Sequence, residues 1–89
     1  GYYLDEKLQT DWSGVVNGTI NGTKGWYYIR YGIYDPTAKG ICKRADGSNN
    51  TWYYVLNGKL AKKTGIAQRA DGSNNKWYYV KNGVFTSKV

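Results

Sequence analysis

The sequence contains no histidine, no methionine and only one cysteine. Without histidine, and with Cys42 as its single thiol, the chain lacks both the ligand set of a typical zinc site and the second thiol of an internal disulfide. Cys42 is therefore predicted to be a small buried hydrophobic residue. These shortages predict that the chain carries no metal centre and no cofactor.

Aliphatic side chains are also scarce, so aromatic residues must do much of the packing. The chain has ten Tyr and four Trp but only one Phe and no Met. Its 89 residues make one small domain at most, and a domain of that size buries only about 60 to 65% of its unfolded surface. We expect a thin core in which aromatic rings replace aliphatic side chains.

Acidic residues are also few. Six Asp and Glu accompany thirteen Lys and Arg, which gives a net charge of +7. That excess favours a polyanionic partner, although lysines solvated on strand faces are an alternative explanation. Asp46 and Asp71 lie at equivalent positions 25 residues apart, whereas a glycosidase needs two carboxylates facing each other about 5 to 10 Å apart. Because a histidine base is also missing, the chain is predicted not to be an enzyme.

One fifteen-residue phrase occurs twice. "RADGSNNTWYYVLNG" spans residues 44–58, and "RADGSNNKWYYVKNG" begins 25 residues later at Arg69. Three glycines each precede a Trp by 12 residues, giving the pairs Gly14 and Trp26, Gly40 and Trp52, and Gly65 and Trp77. A fixed period of this kind indicates a repeat architecture. We predict a single repeat module over 1–89, part of a longer array, with units at about 1–13 (partial), 14–39, 40–64 and 65–89.

Each unit has the signals of a β-hairpin. "GIAQR" and "KWYYV" are typical of strands, "ADGSNN" between them is rich in turn formers, and Asn-Gly after them readily forms a tight turn. No stretch has the apolar period of a helix. Because an isolated hairpin is marginally stable in water, successive hairpins must pack on one another. The predicted fold is all-β, a solenoid of tandem β-hairpins with about three and a half units of about 25 residues.

Strand alternation divides the aromatic residues between two faces. In "WYYV" the Trp and the second Tyr point to one side, and the first Tyr and the Val to the other. We predict that the second set packs between hairpins, with residues from the strand after each unit glycine closing the core: Tyr27, Ile29, Tyr53, Val55, Tyr78 and Val80, with Val15, Ile41 and Ile66. The other face is predicted to be exposed and functional: Trp26, Tyr28, Trp52, Tyr54, Trp77 and Tyr79.

The phrase "TGIAQRADGSNNKWYYVKNG" resembles the short cell-wall-binding repeats of Gram-positive surface proteins, which include choline-binding and glucan-binding repeats. The shared features are a unit glycine, a hairpin turn, a "WYY" triplet and a closing "NG", and the resemblance extends over residues 2–89. It implies a secreted, wall-associated module. Such a module binds a wall polymer or polysaccharide, of teichoic acid or glucan type, in shallow aromatic pockets between hairpins.

In the choline-binding members, the resemblance implies a pocket with three aromatic walls. Trp26, Trp52 and Trp77 match the Trp of the triplet, and Tyr54 and Tyr79 match the Tyr that comes from the following hairpin. The third wall differs, because Val15, Ile41 and Ile66 stand where a Trp is expected. A sugar ring resting on one Trp tolerates that loss better than choline does, and repetition gives weak sites avidity for a polymer. Arg44 and Arg69 are further candidates for contacts to hydroxyl or phosphate groups.

Three other interpretations follow from the same residues. A structural spacer, or a module that self-associates through open terminal strands, would have the same aromatic pattern. Asp46, Ser48 and Asn50 alternate like the first ligands of a calcium loop, but no acidic residue follows to complete the site. Basic charge with aromatics also suits single-stranded nucleic acid, although the lysines are too dispersed for us to expect it. No apolar run predicts membrane insertion.

Overall fold

A computed structural model describes residues 2–4 as backbone, and residues 13–73 and 75–88 in full. Most of the predicted partial unit at 1–13 therefore lies outside the described residues. The described chain forms ten β-strands and no helix, which confirms the all-β prediction. The strands are β1 (Tyr2–Leu4), β2 (Gly14–Ile20), β3 (Thr23–Arg30), β4 (Ile33–Tyr34), β5 (Lys39–Cys42), β6 (Tyr53–Leu56), β7 (Lys59–Leu60), β8 (Gly65–Ala67), β9 (Tyr78–Lys81) and β10 (Val84–Lys88).

Each described unit is a meander of three antiparallel strands: β2, β3 and β4, then β5, β6 and β7, then β8, β9 and β10. The second and third strands of each unit are joined by a two-residue turn with positive φ at both residues: Tyr31 and Gly32, Asn57 and Gly58, Asn82 and Gly83. Such turns match the twist of the strands that they connect. The tight turns predicted from the Asn-Gly pairs are present.

The connection between the first and second strands of a unit is longer than the sequence predicts. Ten residues, 43–52, separate β5 from β6, where a loop of about six was expected. The extra length arises because Arg44 leaves its own hairpin and forms a parallel bridge with Val15 of the preceding unit. Arg69 forms the same bridge with Ile41 one unit later.

Successive units are joined by the same backbone hydrogen bonds. In the first joint the Val15 amide donates to the Lys43 carbonyl at 3.1 Å, and the Ala45 amide donates to the Val15 carbonyl at 3.0 Å. In the second joint the Ile41 amide donates to the Gln68 carbonyl at 2.8 Å, and the Ala70 amide to the Ile41 carbonyl at 2.9 Å. The Tyr28 amide also donates to the carbonyl of Gly58, the turn glycine of the following unit, at 2.8 Å, and the Tyr54 amide donates to the Gly83 carbonyl at the same distance.

The unit glycines permit this close approach. Gly40 has φ +132°, and a Cβ added there would overlap the Gln68 carbonyl oxygen and lie 2.7 Å from the Ala70 nitrogen. Gly14 faces the next hairpin in the same way. Because the obstructing atoms are backbone, they cannot rotate aside as a flexible side chain would. The glycines that mark the repeat are therefore also the places where one hairpin touches the next.

We predict that Gly40→Ala destabilises the chain by about 3 kcal/mol, because it adds steric overlap to an unfavourable positive φ. Gly47→Ala is the matched control: Gly47 has φ +70° but nothing within 4 Å of an added Cβ, so only the backbone cost of about 1 kcal/mol remains. Urea unfolding of the two variants measures the difference. Equal losses would contradict the close-approach explanation.

Two hydrophobic clusters fill the two joints. The first consists of Val15, Tyr28, Ala38, Cys42 and Val55, and the second of Ile41, Tyr54, Ala67, Tyr78 and Val80. Cys42 is 6% exposed, and burial raises the pKa of its thiol to about 12. Ala67, its counterpart 25 residues later, lies in the second cluster. Cys42 therefore acts as a packing residue, as predicted.

The Cys42 thiol makes the chain less stable at high pH. The unfolded thiol ionises from about pH 8.5, whereas the folded thiol keeps its proton to about pH 12. The free energy of unfolding is unaffected at lower pH and then falls, by at most about 1.4 kcal/mol per pH unit, as pH rises through that window. Burial of Tyr28 and Tyr54 raises the pKa of both phenols and adds to the loss of stability at higher pH.

We expect Cys42→Ala to reduce the fall of the free energy of unfolding between pH 9 and 10, measured by urea unfolding. If the free energy of unfolding falls equally steeply with pH in both chains, the attribution of this pH dependence to Cys42 is contradicted.

Candidate functional site

Both faces of the first two "WYY" strands are covered. Tyr28 is 1% exposed and Tyr54 is 2% exposed, so the prediction that these two residues lie on an exposed face is wrong. Tyr28 packs in one cluster with Val55 and Tyr54 in the other with Val80, in the clusters that join the hairpins. Alternation assigned the side of the strand correctly, but the following hairpin covers that side.

The third unit presents the same face uncovered. Ile66, Trp77 and Tyr79 are 44%, 46% and 47% exposed, whereas the equivalent Val15 and Ile41 are 1% and 2% exposed. No described residue packs beyond this third hairpin as a further unit. The predicted role of Ile66 in closing a core is therefore not fulfilled in the described chain. Trp77 and Tyr79 do form the exposed aromatic surface that the sequence predicts.

Trp26 and Trp52 are half-buried, and an arginine from the next unit stacks on each of them. The Arg44 guanidinium lies 4.8 Å from the centroid of the Trp26 ring and 5.8 Å from that of Tyr53. The Arg69 guanidinium lies 4.7 Å from the Trp52 ring and 5.9 Å from the Tyr78 ring. Each arginine therefore lies between the Trp of one hairpin and the first Tyr of the next. A cation over an aromatic face is attracted by about 0.5 to 2 kcal/mol.

Loop contacts hold both arginines in place. The Nη1 group of Arg44 donates to the Ser48 hydroxyl at 3.3 Å, and that of Arg69 donates to the Ser73 hydroxyl at 3.2 Å. Each serine amide donates in turn to the aspartate two residues earlier, at 2.9 Å. In each "RADGS" segment these hydrogen bonds therefore hold the arginine guanidinium over the Trp of the preceding unit. The sequence suggested these arginines as ligand contacts, and the structure brings them onto the tryptophans.

The second joint contains a cavity of about 210 Å³. Its floor is aromatic, with Tyr78 and Phe85 packed edge to face at 5.7 Å between ring centroids. Its lining residues are Ile41, Trp52, Arg69, Lys76, Tyr78, Phe85 and Lys88. Sequence reasoning did not assign Lys76, Phe85 or Lys88 to a site. Phe85 and Lys88 lie on β10, outside the repeated phrase, and a register shift between Phe85 and Ser87 interrupts that strand.

The aspartates of the "DGS" loops take part in turns. The Asp46 carboxylate accepts the Ser48 amide at 2.9 Å, and hydrogen bonds from Ser48 lower the pKa of Asp46. Asp71 accepts the Ser73 amide in the same way. Within residues 13–73 and 75–88, no group of three or more Cys, Asp or Glu side chains could hold a metal ion. The turn contacts account for the alternating oxygens that resemble a calcium loop.

The described residues include no helix long and apolar enough to cross a membrane.

Comparison with known proteins identifies one family. A sequence model of the choline-binding repeat family matches residues 37–61 and again residues 62–84, which together make up more than half of the chain. No curated protein and no solved structure gives a significant match. The two matches confirm the resemblance inferred from the repeated phrase. The matched segments include Trp52 and Trp77 and both stacking arginines.

Tyr54 and Tyr79 provide a direct test of how the joints bury the second Tyr. We expect Tyr54→Ala to cost about 3 to 5 kcal/mol, because it leaves a cavity in the second joint. Tyr79→Ala, at the equivalent exposed position, should cost less than about 1 kcal/mol. Urea unfolding measures both, and a Tyr54→Ala chain too unstable to fold would agree with the expectation. Similar losses for the two variants would contradict it.

Proposed function

The chain belongs to the choline-binding repeat family, and from that premise we propose that it is a non-catalytic module that attaches a protein to cell-wall polymer. Each binding site would be shallow, aromatic and repeated from hairpin to hairpin. The observation that carries the proposal is the geometry of the two joints, where the same Trp, Tyr and Arg positions come together at nearly the same distances.

We propose further that the units form a solenoid, about three and a half units long, within one module spanning residues 1–89. The equivalent hydrogen bonds of the two joints support this arrangement. So do the principal dimensions of 37 × 23 × 22 Å, which are elongated along one axis. In a solenoid each unit touches only its neighbours, so equivalent surfaces recur along the length. A repetitive polymer could then engage several of them at once.

The proposed platforms are the exposed Trp77 and, with an arginine over one face of each ring, the half-buried Trp26 and Trp52. One exposed indole contributes about 1 to 3 kcal/mol, by analogy with bases stacking on aromatics, and even a millimolar dissociation constant needs about 4 kcal/mol. Several sites on one polymer overcome that weakness through avidity. Tyr79 would add contact area beside Trp77, whereas Tyr28 and Tyr54 support the platforms from within the core.

The net charge of +7 supports an anionic wall polymer of teichoic acid type as the partner, with neutral glucan as the alternative. Binding to such a polymer places the module outside the cell, at the wall or in the extracellular matrix. Nucleic acid, membrane insertion and catalysis form no part of the proposal. The second candidate function is a structural spacer, favoured by the observation that Tyr28 and Tyr54 serve packing and that arginines cover Trp26 and Trp52.

Retention on isolated cell walls tests the proposal. We expect the wild-type chain to be retained and the double variant Trp52→Ala, Trp77→Ala to lose at least about tenfold in apparent affinity, the equivalent of about 1.4 kcal/mol. Trp77→Ala alone, at an exposed position, should lose part of the affinity without loss of folding. Tyr31→Asn is the matched control, because Tyr31 is 69% exposed at the turn position where the other units have Asn57 and Asn82.

The salt dependence of retention distinguishes the polymers. Binding to an anionic polymer weakens steeply as salt screens the charges, whereas retention on neutral glycan is insensitive to salt. Unchanged retention of both Trp variants would overturn the proposed platforms. A wild-type chain that is not retained on any wall preparation would favour the spacer.

A further inference from the structure

The cavity in the second joint is lined by positive charge. Three of its seven lining residues are cations, Arg69, Lys76 and Lys88, and none is acidic. Like charges that lie close together near a protein surface repel each other. A further cation would therefore be repelled from this cavity, whereas an anion would be attracted by all three side chains.

The place where a cationic ligand would rest is already filled. Arg69 lies over the Trp52 ring, with the Tyr78 ring of the third unit on its other side. A quaternary ammonium group binds to aromatic faces in the same position as this guanidinium. The chain therefore carries its own cation between the rings, tethered by the backbone and held by Ser73.

The Arg69 guanidinium retains hydrogen-bonding capacity. Its Nη1 group donates to Ser73, but its Nε is buried without an acceptor. Within the described residues neither Arg69 nor Lys88 forms an ion pair. A hydrogen bond from a guanidinium to an oxyanion is among the strongest in proteins. Because Nε is enclosed, an anion in the cavity would accept hydrogen bonds from the Nη groups of Arg69 instead.

The first joint is an internal comparison. Arg44 is stacked there as Arg69 is in the second joint, with the two arginine–Trp distances differing by only 0.1 Å. Thr51 stands there at the position of Lys76. Lys24 and Lys59 line a cavity beside Trp26, so a stacked arginine with lysines nearby is common to both joints, while Lys76 is particular to the second.

We propose that the joint between the second and third units, at Arg69, Lys76 and Lys88, is a binding site for a phosphate group. The phosphate oxygens accept hydrogen bonds from the guanidinium and are attracted by the positive charges of the two lysines. Trp52, Tyr78 and Phe85 form the floor of the cavity. This proposal rests on the proposed function, because it identifies the chemistry by which one joint contacts a wall polymer. The same chemistry is available from a phosphodiester polymer or from free phosphate.

Amide and indole NMR spectra of the full chain test the site, because they detect millimolar binding and show where it occurs. Inorganic phosphate and a glycerol phosphate oligomer are added separately, with sodium chloride at matched ionic strength as the reference. We expect either phosphate to shift the Trp52 indole and Arg69 signals beyond the effect of sodium chloride. A tenfold preference for the oligomer indicates a polymer ligand, and equal affinities indicate free phosphate; both support the site.

Two variants remove the proposed contacts. Arg69→Gln should weaken phosphate binding at least tenfold, and Lys76→Thr, which introduces the residue of the first joint, should weaken it about threefold to tenfold. Arg44→Gln is the matched control, because it removes the stacked cation of the other joint and should leave the shifts at Trp52 unchanged. If Arg69→Gln does not fold, Lys76→Thr still tests the proposal, since Lys76 is an exposed side chain.

Three results would overturn the proposal. They are no shift beyond that of sodium chloride, a shift at Trp52 that survives both variants, and a shift of the Trp52 indole by choline as large as that by phosphate. Wall retention is a separate measurement. A chain retained on walls without a phosphate shift overturns the phosphate site alone, and a chain with the phosphate shift but without wall retention overturns the proposed function.

Discussion

Stacking of each hairpin on the next is the interaction on which the rest of the structure depends. The buried clusters combine residues from neighbouring units, so each three-stranded meander obtains its core by packing on the next. The unit glycine permits the backbones to approach, the paired amides and carbonyls fix the register, and the second Tyr fills the space between. Arginine then closes the outer side of each joint over a Trp.

This arrangement gives one side chain two connected roles. By crossing to the preceding hairpin, Arg69 strengthens the joint through its contact with Trp52 and also places a positive charge at the mouth of the joint. The same contact that stabilises the fold therefore changes the ligand chemistry of the aromatic surface, from one that attracts cations to one that attracts anions. The Arg69 guanidinium contributes both to ligand recognition and to stability. The effect of an Arg69 substitution on binding must therefore be compared with that of a substitution that destabilises the fold equally.

Much of the fold could be predicted from the sequence because its signals are local. Alternation correctly placed Tyr27 and Val55 inside, and the Asn-Gly pairs located the turns. Alternation failed for Tyr28 because it gives the side of a strand but not whether a neighbour covers that side. The connection at residues 43–52 was predicted too short because Arg44 pairs with Val15, 29 residues earlier, and local patterns do not report such pairing. Phe85 and Lys88 were missed because they lie outside the repeated phrase.

The identity of the hydrogen bonds in the two joints restricts how such a chain can change in length. Adding or deleting a whole unit brings each glycine, tyrosine and arginine opposite an equivalent partner, so the new joint is chemically the same as the old one. Adding a fraction of a unit brings side chains opposite unsuitable partners throughout the joint. The one-residue difference between the spacings of the unit glycines lies in the connector that contains Pro36, before Ala38, whose carbonyl accepts the Gly58 amide as the Lys63 carbonyl accepts the Gly83 amide. Growth by duplication is thus tolerated in steps of one hairpin, while connectors absorb smaller changes.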